Sequence, residues 1–167
     1  MDGKVDIRIL GIDPGLNTTG YGIIDPSERG PRLVEAGVIK STASRSLAAR
    51  VHEIHEGVAE VIAAVKPGVL AMEQLYSHYE RPMTAILMGH ARGAICLAAA
   101  QAGIEVSDYA ATRVKKLLTG NGRAPKVQMQ ETIRREFGLA EAPEPADVAD
   151  ALAIALCHFY MMRTVAI

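Results

Sequence analysis

Three short apolar runs fill the first forty residues, each broken by a tight-turn sequence. After residue 46 the spacing of the apolar positions changes from two to between three and four. This switch restricts the chain more than any other feature. Ile7–Asp13, Thr19–Asp25 and Arg32–Ile39 read as strands, with "PSERGP" as a hairpin-like turn between the last two. Ser46–Val65 reads as a helix, since Leu47, Val51, Ile54, Val58, Ile62 and Val65 recur at helical spacing and "KPG" ends the run.

Val69–Glu73 then has the pattern of a short buried strand, and Pro82 suits the first turn of a helix reaching about Ala102. "GIEVSDY" reads as a fifth strand, Ala111–Phe137 as basic helical and loop segments, and the stretch from Pro145 through Arg163 as a last helix. The order βββ-α-β-α-β-α-α predicts an α/β fold with a five-stranded mixed sheet flanked by helices. Strands one to three are short-connected and expected antiparallel. Strands four and five follow helical crossovers and are expected parallel. At 167 residues the chain reads as a single domain.

Within that frame two acids occupy equivalent places. Asp13 ends "RILGID" and Glu73 ends "GVLAME". Pro14 pushes Asp13 into extended geometry, as befits a strand end. Strand ends at one sheet edge would bring both carboxylates to a common crevice. A third element, "PEPADVADALAIAL", places Asp147 and Asp150 three residues apart, about 60° around a helix. They flank a predicted apolar stripe of Val148, Leu152, Leu156 and Phe159. Acids near a helix N-terminus gain about 0.3–1 kcal/mol from the macrodipole. A like-charge pair about 4 Å apart costs about 4 kcal/mol at an effective dielectric near 20. Four converging acids therefore call for a divalent cation, and oxygen donors suit Mg²⁺ or Mn²⁺. "HEIHE" at His52–Glu56 has its histidines three apart, not four, and reads as a solvated helix face.

Overall charge is −1, so any anionic partner must be met locally. Thr112–Arg135 carries seven basic residues, Lys115, Lys116, Arg123 and Lys126 among them, against Glu131 alone. Glu136–Asp150 has five acids and no base. A basic segment beside an acidic one suits phosphate docking next to a metal cage, and the glycines of "GNGRAPK" would let backbone approach phosphate. "YSHYERP" concentrates Tyr76 and Tyr79 beside Arg81 in a chain with 4% aromatics, a composition suited to stacking on unpaired bases. Gly89 and Gly93 lie four apart within a helix, which close packing against the sheet would explain, with a dimer contact along this helix as a further expectation. Cys96 and Cys157 read as buried reduced thiols, in keeping with a reducing cytoplasm. The N-terminus, with Asp2 and Asp6, does not read as a signal peptide. Met83–Ile104 contains His90 and Arg92, which speaks for a buried helix and against a membrane partner.

"ILGIDPGLNTTGYGII", "AMEQLY", "GHARGA", "YAATRVKKLLTGNGRAPKVQM" and "ADVADALAIAL" together resemble, in order and spacing, the RuvC Holliday-junction resolvases. The likeness runs from about Ile9 to His158. It implies an RNase H-like fold and metal-dependent nicking of two strands of like polarity at a four-way DNA junction. It implies that Asp13, Glu73, Asp147 and Asp150 are catalytic acids holding two Mg²⁺ or Mn²⁺ ions, and that Tyr76 stacks on a base at the junction centre. Lys115 and Lys126 match positions that contact phosphate near the scissile bond. The family works as a cytoplasmic bacterial homodimer with RuvA and RuvB as partners. His90 stands where the family usually has glutamine.

"DPGLNTTGYG" also resembles the phosphate loop of actin-like and sugar-kinase ATPases. Those use two such domains and a second loop, for which one domain of this size has no room. A junction-binding module without catalysis would not need all four acids. A resolvase acting on other branched nucleic acids is the remaining alternative.

Overall fold

A computed structural model describes residues 7–75 and 80–165. Ten elements follow one another: β1 Ile9–Asp13, β2 Thr18–Asp25, β3 Arg32–Lys40, α1 Leu47–Val65, β4 Val69–Glu73, α2 Pro82–Gln101, β5 Glu105–Tyr109, α3 Ala111–Thr119, α4 Lys126–Glu136 and α5 Ala146–Val165. The sheet order is β3-β2-β1-β4-β5. The pairs β1–β2 and β2–β3 are antiparallel, and β1–β4 and β4–β5 are parallel. The five strands and their directions agree with the expectation from periodicity and connection length. The boundaries differ little from those expected: β1 starts at Ile9, after Arg8 has turned away to pair with Asp25 at 2.6 Å.

Period two divides the core between the two sheet faces. Leu10, Ile12, Ile23, Leu70 and Met72 pack with α1 and α2 on one side. Ile9, Ile24, Val69 and Ala71 pack with α3, α4 and α5 on the other. Ser46 caps α1 by accepting the Ala49 amide at 3.3 Å. Gly120, at φ 78°, ends α3 in the left-handed conformation that glycine tolerates without strain. Capping is thus the structural task of the first glycine in "GNGRAPK".

The final helix differs from its expected form. Besides Val148, Leu152, Leu156 and Phe159, the residues Ala149, Ala151, Ala153, Ile154, Ala155 and Cys157 are buried. α5 is not an amphipathic surface helix with one stripe. It is the middle layer between the sheet and α3–α4, and so apolar all round. Tyr109 Oη and His158 Nδ1, 2.7 Å apart, tie its far end to β5.

The glycines of α2 also depart from expectation. Gly93 is exposed, and a Cβ there would meet nothing within 4 Å; at Gly89 a Cβ would touch only Leu75 at 3.9 Å. Close packing against the sheet does not account for them. The buried face of α2 is Ala91, Ala94, Ile95, Ala98 and Ala99, and its outer face carries Met83 at 64%, Ile86 at 54% and Leu97 at 53% exposure. Length and composition alone would let α2 cross a membrane, with mean hydropathy 1.4. Packed against α1 and β5, it is half-buried where full burial was expected. Cys157 is buried as expected, but Cys96, on α2, is only partly so.

Candidate active site

The turn after Asp13 is built from its own residues. The buried Thr19 hydroxyl donates to the Gly15 carbonyl at 2.7 Å. A Cβ at Gly15 would collide with the Thr18 carbonyl, so only glycine fits there. Ser41 Oγ donates to the Leu16 carbonyl at 2.5 Å, and Arg50 donates to both Ser41 Oγ and the Asn17 side-chain carbonyl. The loop leaving β1 is therefore pinned from two sides, and Asp13 is held as a fixed strand end.

Alternation along β1 and β4 puts Asp13 and Glu73 on the face that α5 covers. Ile9, Gly11 and Asp13 share that face, as do Val69, Ala71 and Glu73. Ile12 pairs with Met72 in the parallel ladder, so the two acids emerge side by side at one edge.

α5 reaches them through a trough of glycines. Gly11 pairs with Gly22, and Gly20 pairs with Asp13. A Cβ at Gly20 would overlap the Asp147 carbonyl, one at Gly11 would lie 2.8 Å from Ala155 Cβ, and one at Gly22 would lie 2.8 Å from Leu152 Cγ. With no side chain between them, helix and sheet lie backbone to backbone. The first turn of α5 thus rests beside the end of β1. These strand glycines went unread in the sequence, although glycine inside a strand marks close backbone approach.

Electrostatics show that the acids face one another. Burial and then Asp150, Glu73 and Asp147 push the Asp13 carboxyl up to about 8, against a smaller opposing effect of Lys126. Glu73 is raised by burial and then by Asp150, with Lys115 and Arg92 opposing. Asp150 is raised by burial, with Lys126 the leading opposing influence. Lys126 Nζ lies 3.7 Å from Asp150 Oδ2. Glu73, Asp150, Lys115, Lys126, Val114 and Met129 line a cleft of about 250 Å³.

Among the described residues, no three histidine, cysteine or acidic side chains close on a single ion by themselves. The donor set is all oxygen, and Asp13, Glu73 and Asp150 each carry the burden of burial and of a neighbouring acid's charge. This fits a hard cation such as Mg²⁺, which takes one or two carboxylates and completes its shell with water and phosphate oxygen.

The remaining candidates spread outwards. Lys115 on α3 and Lys126 at the start of α4 form the cleft wall. Lys116 is exposed on α3, and Arg123 is exposed in the loop before α4, its amide donating to Asn121 Oδ1 at 2.9 Å. Arg81 is exposed at the N-terminus of α2. Tyr76 lies outside the described residues. Two of the seven basic residues counted in sequence are engaged elsewhere: Arg134 and Arg135 both pair with Glu131, at 2.8 and 2.7 Å. "HEIHE" is a solvated face as expected, with His52 3.3 Å from Glu56 and His55 2.7 Å from Gln101.

The family model for crossover junction endodeoxyribonuclease RuvC matches residues 9–158. A crossover junction endodeoxyribonuclease RuvC from Rhodopirellula baltica is 61% identical over 155 residues, which cover 92% of this chain and 86% of that one. The structure of T. thermophilus RuvC in complex with Holliday junction substrate matches with a TM-score of 0.86 and 33% identity, covering 95% of this chain and 96% of the other. The yeast mitochondrial Holliday junction resolvase shares the fold, with a TM-score of 0.65 at 15% identity, covering 91% and 77%. A five-stranded mixed sheet of RNase H-like fold, flanked by helices, is what these structures and this chain have in common, and the chain belongs to the RuvC family of crossover junction endodeoxyribonucleases.

Proposed function

We propose that this chain resolves four-way DNA junctions by metal-dependent hydrolysis of phosphodiesters, with Asp13, Glu73, Asp147 and Asp150 as the metal-holding acids. The observation that carries the reading is the gathering of acids at one sheet edge beside a basic cleft, where burial and then the charges of Asp150, Glu73 and Asp147 push Asp13 up to about 8. Two Mg²⁺ or Mn²⁺ ions, when bound, would activate a water and support the leaving oxygen.

The protein's own part is placement. Asp13 and Glu73 stand on rigid strand ends, and Asp147 and Asp150 on the first turns of a buried helix. Lys126 shields Asp150 and is positioned to turn to an arriving phosphate; Lys115, which lines the same cleft from α3, would receive the same phosphate. Lys116, Arg123 and Arg81 extend the positive surface outwards and add salt-dependent affinity. Tyr76 is assigned to base stacking on its sequence position alone.

The chain is further proposed to act as a homodimer through the outer face of α2. Ile86, Gly93 and Leu97 recur there at helical spacing, and the bare Gly93 leaves room for a second helix to approach. A dimer would present two sites to two strands of like polarity. RuvA and RuvB are proposed as partners, and the cytoplasm of a bacterium as the compartment, by family membership.

The test is nicking of a synthetic four-way junction beside a linear duplex of the same sequence, with Mg²⁺, Mn²⁺ or EDTA. Paired nicks are expected in the junction only and with metal only. Asp150→Asn is expected to lower nicking at least about 10²-fold while junction binding persists. Metal-independent nicking, or equal loss of binding and nicking in Asp150→Asn, would overturn the assignment.

A further inference from the structure

Arg92 belongs to α2, yet its guanidinium serves the ends of two strands. Nη1 donates to the backbone carbonyl of Glu73, and Nη2 donates to Asp108 Oδ1 at 2.9 Å. The side chain is only 16% exposed. Asp108 is opposite Met72 in the β4–β5 ladder, and Tyr109 is opposite Glu73. One more bond, from the Gln74 amide to the Tyr109 carbonyl at 2.9 Å, follows before the chain leaves the sheet. The fork of Arg92 therefore spans the last rungs of the ladder where Glu73 emerges.

We propose that Arg92 is a positioning residue for Glu73, fixing the peptide that carries this acid while leaving both carboxylate oxygens free for metal. The inference rests on the reading of Glu73 as a metal ligand. A cation placed on the carboxylate would compete with the metal for its lone pairs; a cation placed on the carbonyl does not. Arginine suits the task because its planar fork reaches two acceptors at once, which a lysine ammonium cannot hold in the same geometry. A plain ion pair with Asp108, itself 41% exposed, would add little stability and would not touch metal binding.

The experiment titrates the purified full chain with Mn²⁺ alone by calorimetry. It also measures the Mn²⁺ dependence of junction nicking, and junction affinity in EDTA. Arg92→Met keeps the apolar stem and removes the fork. It is expected to weaken Mn²⁺ binding about ten-fold, to raise the Mn²⁺ needed for half-maximal nicking in step, and to leave junction affinity unchanged. Arg92→Lys is expected to recover part of the loss. Unchanged Mn²⁺ binding in Arg92→Met overturns the proposal, as does weaker junction binding with an unchanged Mn²⁺ isotherm, which would make Arg92 a DNA contact. Should the methionine variant not fold, Arg92→Lys decides: several-fold weaker Mn²⁺ binding supports the proposal, and equality with the parent overturns it. Glu73→Gln in the same titration separates the two layers. If it binds Mn²⁺ like the parent, the ligand assignment itself fails.

Discussion

Asparagine at position 13 should abolish cutting and, in the absence of metal, make the protein more stable at neutral pH. The carboxyl is pushed up from 3.8 to about 8 by burial and by Asp150, Glu73 and Asp147. Between those values the folded chain keeps a proton that the unfolded chain has released, so rising pH favours unfolding by about 1.4 kcal/mol per pH unit. The stability linked to this group is whole below pH 3.8 and is lost progressively until about 8. At pH 7 the loss amounts to about 4 kcal/mol. The Asp13→Asn variant would not incur it. Burying an amide without a hydrogen-bond partner costs about 1–2 kcal/mol, which leaves a net gain of about 2–3 kcal/mol at pH 7. In a chain of this length that is about 4–12 °C in Tm. Thermal unfolding of Asp13→Asn and the parent in EDTA, from about pH 4.5 to 8.5, reads this directly. The two curves should diverge as pH rises, and Mn²⁺ should close the gap by stabilising the parent more. Parallel curves across the range, or a variant less stable than the parent at pH 8, would refute the reasoning.

Gly20→Ala drives a methyl into the Asp147 carbonyl. It is expected to cost about 1–3 kcal/mol in urea unfolding and to impair nicking more than junction binding. Lys126→Ala and Lys115→Ala should each reduce the slope of log affinity against log salt by about one, read by titration of the junction at several salt concentrations. Ile86→Glu should convert the proposed dimer to monomer in sedimentation, and a parent that sediments as a monomer at micromolar concentration would sink the α2 interface. Tyr21, raised to about 12 by burial and its hydrogen bond to Glu35, should remain un-ionised in a spectrophotometric titration through pH 10.

The strand-end placement of Asp13 and Glu73 was legible because a strand has a strict period and a definite end, and parallel neighbours align their ends. Asp147 and Asp150 were legible as a helical pair, but not how close they come to the sheet. That depends on Gly11, Gly20 and Gly22, which matter by what they lack. α2 was misread for a related reason: it carries apolar side chains on both faces, and periodicity cannot say which face a protein turns inward. Its arginine was legible as a charge in an apolar helix, not as a donor to a carbonyl nineteen positions away. Counting charges between Thr112 and Arg135 overstated the free positive surface, since Arg134 and Arg135 share Glu131.

The glycine trough has a kinetic consequence. A helix that lies backbone to backbone against a sheet, and is covered on its other side by α3 and α4, cannot swing out alone. Amides from Ala151 to Leu156 should exchange with solvent only when the whole domain opens. Half of the acid cluster would then be carried by the unit expected to open last. On the proposed reading of these acids as metal ligands, metal ions would leave and return without the carboxyls dispersing, and each junction would meet a site already in shape.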